Sequence, residues 1–380
     1  MVIDRQRWEN FDWCLFAILA LIGIAGLVVL YSAGYSDEGP IDVVGGLLST
    51  NSMPFFKQLT FWLFGLLVML ATMCIPTKFL HKISYVSYIL VISLLIAVLI
   101  FGTYSHGAKR WFDFNILRFQ PSELMKLVLI LVMARFLSSN LPEEGGYGFK
   151  QLIAPAFLVL LPMGLIIEQP DLGTSLVVAA IGFGMLLFVG IKIKALLVIG
   201  SLGIGSVVMG WLFVFKEYQK RRVMTLFDQS ADELGSGYHI IQSEIAVGSG
   251  SLFGRGMLQG TQSQLEFLPE HTTDFIFSVL AEEWGFVGCL IVLTLFLFLL
   301  CRMLHIARHC KDLFSALVVV GITILLAFHV FVNIGMVIGI LPVVGIPLPF
   351  FSYGGSSLLT GMFLLGLVLS IGMQRNNRFN

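Results

Sequence analysis

The chain has 380 residues, of which 57% are hydrophobic and 12% charged, with 33 phenylalanines and a mean hydropathy of +0.91. This composition excludes a soluble enzyme, a disordered scaffold and an outer-membrane barrel, whose alternating strands keep hydropathy low; it fits a bundle of helices that each need about 20 mostly apolar residues to cross a membrane. Lys plus Arg and Asp plus Glu both number 23, so no net charge draws the chain to nucleic acid.

The first apolar run, near 15–31, is followed by no small-residue cleavage site and by further runs, so it reads as a span and not a removed signal. Runs follow near 59–75, 83–101, 124–137, 152–167, 172–189, 195–215, 275–300, 313–340 and 358–371, which gives ten predicted spans in one membrane domain, residues 1–380. Ten spans put both termini on one side. The connections on that side, Arg5 and Arg7 through Arg375 and Arg378, carry thirteen Lys and Arg against six Asp and Glu, and the excess of cations predicts cytoplasmic termini. Cys14, Cys74, Cys289, Cys301 and Cys310 lie in or beside apolar runs without metal or redox spacing and read as packing residues.

Ionisable residues at spans are costly and therefore paired or functional. Glu123 and Lys126 open span four three residues apart, on one helical face; they anchor the helix end as a salt bridge, shape a polar cavity, or both. Glu168-Gln169-Pro170-Asp171 leaves room only for a tight turn, with Asp171 as N-cap of span six. The stretch 216–274 is too long for a structureless loop and predicts a functional extracytoplasmic segment between spans seven and eight. Within it, Tyr238–Val247 has helical apolar spacing, either at the membrane interface or capping the bundle. Gly248 to Gly256 with Arg255 is a run of turns or an anion-binding nest, and Lys220-Arg221-Arg222 adds a basic cluster suited to phosphate.

Leu268 to Asp274 brings Glu270, His271 and Asp274 to the start of span eight. A partly desolvated carboxylate there suits a general base, while the competing reading of Asp274 is an N-cap for a helix starting at Phe275. Glu282 and Glu283, two turns into that span, place at least one acid toward an interior cavity. His329 and Asn333 share a face of span nine as interhelical glue. The helix breakers from Leu341-Pro342 to Ser357 border the same cavity, because broken backbone at membrane depth needs protein or water around it.

Taken together, Phe119-Gln120-Pro121-Ser122-Glu123, Gly237-Tyr238 through Gln242-Ser243, Gly248-Ser249-Gly250, Leu268-Pro269-Glu270, Thr273-Asp274-Phe275 and Pro347 to Ser357 resemble the SEDS family of shape, elongation, division and sporulation proteins over essentially the whole chain. The short segment before Phe11 and the modest length favour its elongation branch. The resemblance implies a ten-helix, all-α enzyme of the bacterial inner membrane that polymerises lipid II into glycan strands and releases undecaprenyl pyrophosphate. It implies a class B penicillin-binding protein transpeptidase and other elongation-machinery proteins as partners. Asp274 matches the family's essential aspartate, Glu123 and Lys126 its helix-four pair, and Glu270 the acid of the preceding motif. His271 stands two residues earlier than the family's usual histidine, with Thr272 in the gap.

The expected chemistry is an inverting glycosyl transfer with Asp274 as base and Arg221, Arg222 and Arg255 as partners of the pyrophosphate. No tightly bound cofactor is expected, and a divalent cation, magnesium or manganese, would be held through substrate. The rival expectations are a flippase for lipid-linked precursor and a scaffold that recruits the transpeptidase.

Overall fold

A computed structural model describes residues 10–35, 54–105, 108–113, 118–142, 145–215, 217–228, 235–265, 267–268 and 270–374. The terminal cations Arg5, Arg7, Arg375 and Arg378, the start of the long segment at Lys216, and Pro269 lie outside the described residues.

The spans are α1 (Trp13–Ala33), α2 (Pro54–Met73), α3 (Thr77–Phe101), α4 (Pro121–Ser139), α5 (Ile153–Glu168), α6 (Leu172–Val189) and α7 (Ile193–Met209, continued by a π-turn, Gly210–Val214). The segment that follows carries three short helices, α8 (Glu217–Met224), α9 (Ser236–Ser249) and α10 (Thr261–Gln264), before α11 (Ile276–Arg308), α12 (Leu313–Val337) and α13 (Gly355–Met373). Among the described residues nine helices are long and apolar enough to cross a membrane. The remaining one of the ten predicted spans is α4, whose 19 residues include Glu123, Lys126 and Arg135.

α4 is the centre of the bundle. It packs against α3, α5, α6, α12 and α13, and every residue from Met125 to Ala134 is buried. A helix apolar on all sides is what a position without a lipid face requires. α7 is the opposite case: it is almost bare of protein contacts. The chain alternates between two faces, one holding the described ends at Asn10 and Gln374 (the termini face) and one holding the described parts of 103–119, 217–274 and 338–354 (the loop face). On the termini face Asp12 caps α1 through Leu15 N and pairs with Arg302 at 2.9 Å.

Two features of the loop face were not predicted. The α3–α4 connection is a small antiparallel sheet, β1 (Thr103–Ser105), β2 (Ala108–Asp113) and β3 (Arg118–Phe119). And α11 is broken at Gly285, whose φ of 65° and ψ of −163° are non-helical. The break frees helix carbonyls and N–H groups, and the glycine run supplies their partners. Arg255 N and Gly256 N donate to the carbonyls of Glu282 and Glu283, both at 3.0 Å, while Phe286 N and Val287 N donate to Ser251 and Leu252 at 2.9 and 3.1 Å. Such close approach demands glycine: a Cβ on Gly250 would stand 1.9 Å from the Ala281 carbonyl oxygen, and one on Gly254 2.0 Å from that of Glu283.

Candidate active site

A cavity of about 570 Å³ lies between β2, α4, α6, α12 and the irregular segment before α13. Its polar lining comes from Arg110, Gln120, Glu123, Lys126, Asp171, Thr174, His329, Tyr353 and Ser357. The helix breakers thus border the cavity, as their pattern implied, with Gly345, Ile346, Pro347 and Gly354 in its wall.

Asp274 sits at the rim, in the turn that leads into α11. It is separated from the cavity by Gly345, where a Cβ would lie 3.3 Å from Asp274 Oδ2. The turn is fastened on both sides: Asn333 Nδ2 donates to the carbonyls of Asp274 and Ile346, each at 2.8 Å, and Tyr353 N donates to the Thr272 carbonyl at 3.0 Å. The N-cap reading of Asp274 is overturned. The helix starts at Ile276, its cap position is Phe275, and no side chain closes it. Burial pushes the Asp274 carboxyl up to about 6; the Glu270 carboxylate adds to the rise and the Arg222 guanidinium opposes it.

Glu270 is exposed and accepts from Thr273 Oγ1 at 2.9 Å. Arg222 is half-buried on the last turn of α8, and Arg221 beside it is exposed. His271 is structural: its ring joins the Leu268 carbonyl at 2.8 Å to that of Ala33 at 3.1 Å, tying the turn to the end of α1.

Glu123 and Lys126 form the predicted pair, 2.8 Å apart, with Lys126 only 4% exposed. Both line the cavity, so the anchoring and cavity-shaping readings hold together. Asp171 caps α6 through Thr174 N at 3.2 Å and Thr174 Oγ1 at 3.0 Å, and also accepts from Gln120 Nε2 at 3.1 Å.

The remaining candidates meet at the junction with α11. The run Gly248 to Gly256 is not an anion nest, because the N–H groups of Gly254, Arg255 and Gly256 already donate to carbonyls. Arg255 is exposed and donates to Thr261 Oγ1 at 2.8 Å, a hydroxyl that itself donates to Glu282 Oε1 at 3.1 Å, so it belongs to the junction with α11. Glu282 and Glu283 face that junction, not the cavity: Glu282 accepts from Gln262 N at 3.1 Å, and Glu283 accepts from Leu258 N at 3.2 Å and from Ser32 Oγ. The predicted helix within 238–247 is α9. It caps the bundle, turning Gly237, Ile240, Ser243 and Ala246 inward, with Ser243 Oγ 2.7 Å from the Val337 carbonyl.

Sequence reasoning missed Arg110, which donates through Nε to the Gln169 carbonyl at 2.9 Å and through Nη2 to that of Pro170 while lining the cavity. A basic pair, Lys109-Arg110, in an outer connection was the available signal. His329 and Asn333 both bond across elements as glue, His329 to the Pro347 backbone and Asn333 to the Asp274 and Ile346 carbonyls, and His329 also lines the cavity beside Lys126.

A multi-helix bundle with a polar cavity and a carboxylate at its rim defines a polytopic membrane enzyme. Its family follows from comparison. The model of the FtsW, RodA and SpoVE cell cycle proteins matches residues 12–377, and the chain belongs to that family, the SEDS proteins. It is 43% identical to the peptidoglycan glycosyltransferase MrdB of Escherichia coli K12 over 98% of this chain and 96% of that one. It is 31% identical to the peptidoglycan glycosyltransferase RodA of Treponema pallidum, covering 97% and 98%. A solved chain from a peptidoglycan synthase complex, described as coordinating polymerization and crosslinking, superposes with a TM-score of 0.80 at 32% identity, covering 97% of this chain and 99% of that one. The crystal structure of Thermus thermophilus RodA superposes at 0.70 with 32% identity, covering 97% and 98%.

Proposed function

We infer that this chain is a peptidoglycan glycosyltransferase of the RodA type that polymerises lipid II into glycan strands for cell elongation. The observation that carries the reading is Asp274, a carboxylate at the rim of a polar cavity, raised to about 6 by burial and faced by Arg222. A base of that strength is largely ionised at neutral pH yet accepts a proton readily.

In the reaction, a sugar hydroxyl of the acceptor attacks the anomeric carbon of the lipid-linked donor from the face opposite the leaving group. The new C–O bond forms as the bond to the pyrophosphate oxygen breaks, the hydroxyl proton passes to Asp274, and the anomeric configuration inverts. Arg222, with Arg221 on the same short helix, stabilises the charge that develops on the departing undecaprenyl pyrophosphate. Glu270 tunes Asp274. Glu123 and Lys126 hold the cavity in shape. Arg255 steadies the loop that covers α11.

Among the described residues no three His, Cys, Asp or Glu side chains stand together to hold a metal ion. A magnesium or manganese ion would arrive as counter-ion of the pyrophosphate. The termini face would lie in the cytoplasm and the loop face outside the inner membrane, where a class B penicillin-binding protein would crosslink the strands. A flippase reading is disfavoured because α4 continues below Lys126 through close-packed apolar residues, Leu127 to Ala134.

The test is lipid II polymerisation by the purified protein with its transpeptidase partner, wild type against Asp274→Asn at matched folding and complex yield. Glycan strands from the wild type alone are expected. Lipid II crossing the bilayer with no strands from either protein would replace the enzyme with a flippase.

A further inference from the structure

The deep end of the cavity carries polar atoms that glycosyl transfer at Asp274 does not use. His329, on α12, is 4% exposed. Its ring is hydrogen-bonded to the Pro347 backbone, where only a carbonyl is available, and Nε2 is the nitrogen without a partner. Nδ1 therefore carries the proton, and Nε2 presents a lone pair. Lys126 donates to Glu123 Oε1 at 2.8 Å, while Glu123 Oε2 has no partner. These three side chains line both the main cavity and a void of about 20 Å³ next to it, which Ser357 also borders.

The floor is thus electrically balanced, with Lys126 neutralised by Glu123; it offers two acceptors without a donor, beside a lysine that gives only one of its three N–H groups to Glu123. A buried acceptor without a donor is costly, so the matching ligand brings hydrogen on oxygen or nitrogen. A phosphate would bring net charge to a balanced floor and no hydrogen for either acceptor, whereas a hydroxyl both donates to an acceptor and accepts from Lys126.

We propose that this floor, His329 Nε2 with Glu123 Oε2, is a subsite for the uncharged sugar or amide part of the lipid-linked substrate, read through its hydroxyl or amide N–H groups. It rests on the glycosyltransferase reading and adds an orientation to it: the saccharide enters the cavity, and the pyrophosphate stays outside it with Arg222.

The experiment compares binding of two probes, lipid II and undecaprenyl pyrophosphate, to the full chain in nanodiscs. His329→Phe keeps a planar ring and removes the acceptor; His329→Gln keeps an acceptor. Expected is about tenfold weaker lipid II binding by His329→Phe, the loss of one buried hydrogen bond, with undecaprenyl pyrophosphate binding unchanged and His329→Gln near wild type. Equal losses for both probes would make His329 a structural or phosphate-facing residue and overturn the proposal. No change for either would mean the floor holds water alone, for which a void of this size suffices. If His329→Phe does not fold, nitrogen NMR of 15N-histidine wild type reads the same lone pair: lipid II must shift the Nε2 resonance and undecaprenyl pyrophosphate must not. A wild type that binds lipid II through His329 but makes no strands would remove the enzyme reading and leave this subsite standing.

Discussion

Two regions of the loop face look alike in sequence and differ in structure. The cavity floor and the junction of α11 with the long loop each bury acids within a span and border glycine-rich backbone. At the junction, Glu282 and Glu283 each take two hydrogen bonds, from Thr261 Oγ1 and Gln262 N and from Ser32 Oγ and Leu258 N. The glycines there let the loop lie against the break at Gly285. At the cavity, Glu123 takes a single bond, from Lys126, and lines the cavity wall; Oε2 is buried without a partner in all three acids. A buried acid in a membrane helix is therefore a fastening where one carboxylate oxygen is held by loop groups of the same chain, and a candidate ligand site where the acid lines a cavity.

Asp274 gives the largest effect expected of the comparison. Asp274→Asn removes the base and should lower the polymerisation rate by about 10²–10⁴-fold. The same change should stabilise the protein at neutral pH. A folded carboxyl at about 6, above its ordinary value of 3.8, contributes stability that is present at low pH and lost as pH rises through 6, at most about 3 kcal/mol. Melting in detergent should show Asp274→Asn gaining on wild type above pH 6 and not below pH 4. A mutant less stable than wild type at pH 7.5 would contradict the burial on which the assignment rests.

Next comes the charged pair. Lys126→Met leaves Glu123 uncompensated in a nearly closed site and should cost about 3–5 kcal/mol, read as a drop in melting temperature, whereas the double change with Glu123→Gln should recover much of it. Strand synthesis that returns with the fold would confine the pair to shaping the cavity; synthesis that stays low would give it a part in binding.

At the junction the losses should be in stability and loop order. Glu283→Ala removes the acceptor of the Ser32 hydroxyl, leaves Leu258 N with Ser32 Oγ alone, and should cost about 1–3 kcal/mol. Gly254→Ala forces a Cβ against the Glu283 carbonyl at a φ of 79°, so limited proteolysis should cut residues 250–264 faster. Wild-type protease resistance in Gly254→Ala would mean the loop is not seated on α11 as described.

The spans were legible because a run of about 20 apolar residues has few other uses. α4 was the delicate one, since its three charges are tolerated only by its central position. The junction was invisible: its glycines and the break at Gly285 are some thirty residues apart, and the pairing is between backbones. Asp274 was legible by resemblance more than by chemistry, because an aspartate before a helix is ordinarily a cap; the empty cap position at Phe275 is what only the structure supplies. His329 could not be assigned a face, since α12 is buried nearly all round and its pattern carries no direction.

The smallest effects separate Arg222 from Arg255, two of the three arginines that sequence grouped together. Arg222 lowers the proton affinity of Asp274 and Glu270 raises it. If Asp274 acts as base, the rate rises with pH to a half-maximum near 6 in the wild type. Arg222→Gln must move that midpoint upward, since losing a neighbouring cation disfavours the carboxylate, and Glu270→Gln must move it downward. Arg255→Gln, at a position committed to Thr261, should leave it where it is. Measured as polymerisation rate against pH in one detergent, opposite movements for Arg222 and Glu270 tie the titration to Asp274 itself, because no other group is expected to respond to both with those signs. A midpoint that moves with Arg255 instead would return the glycine loop to the active site.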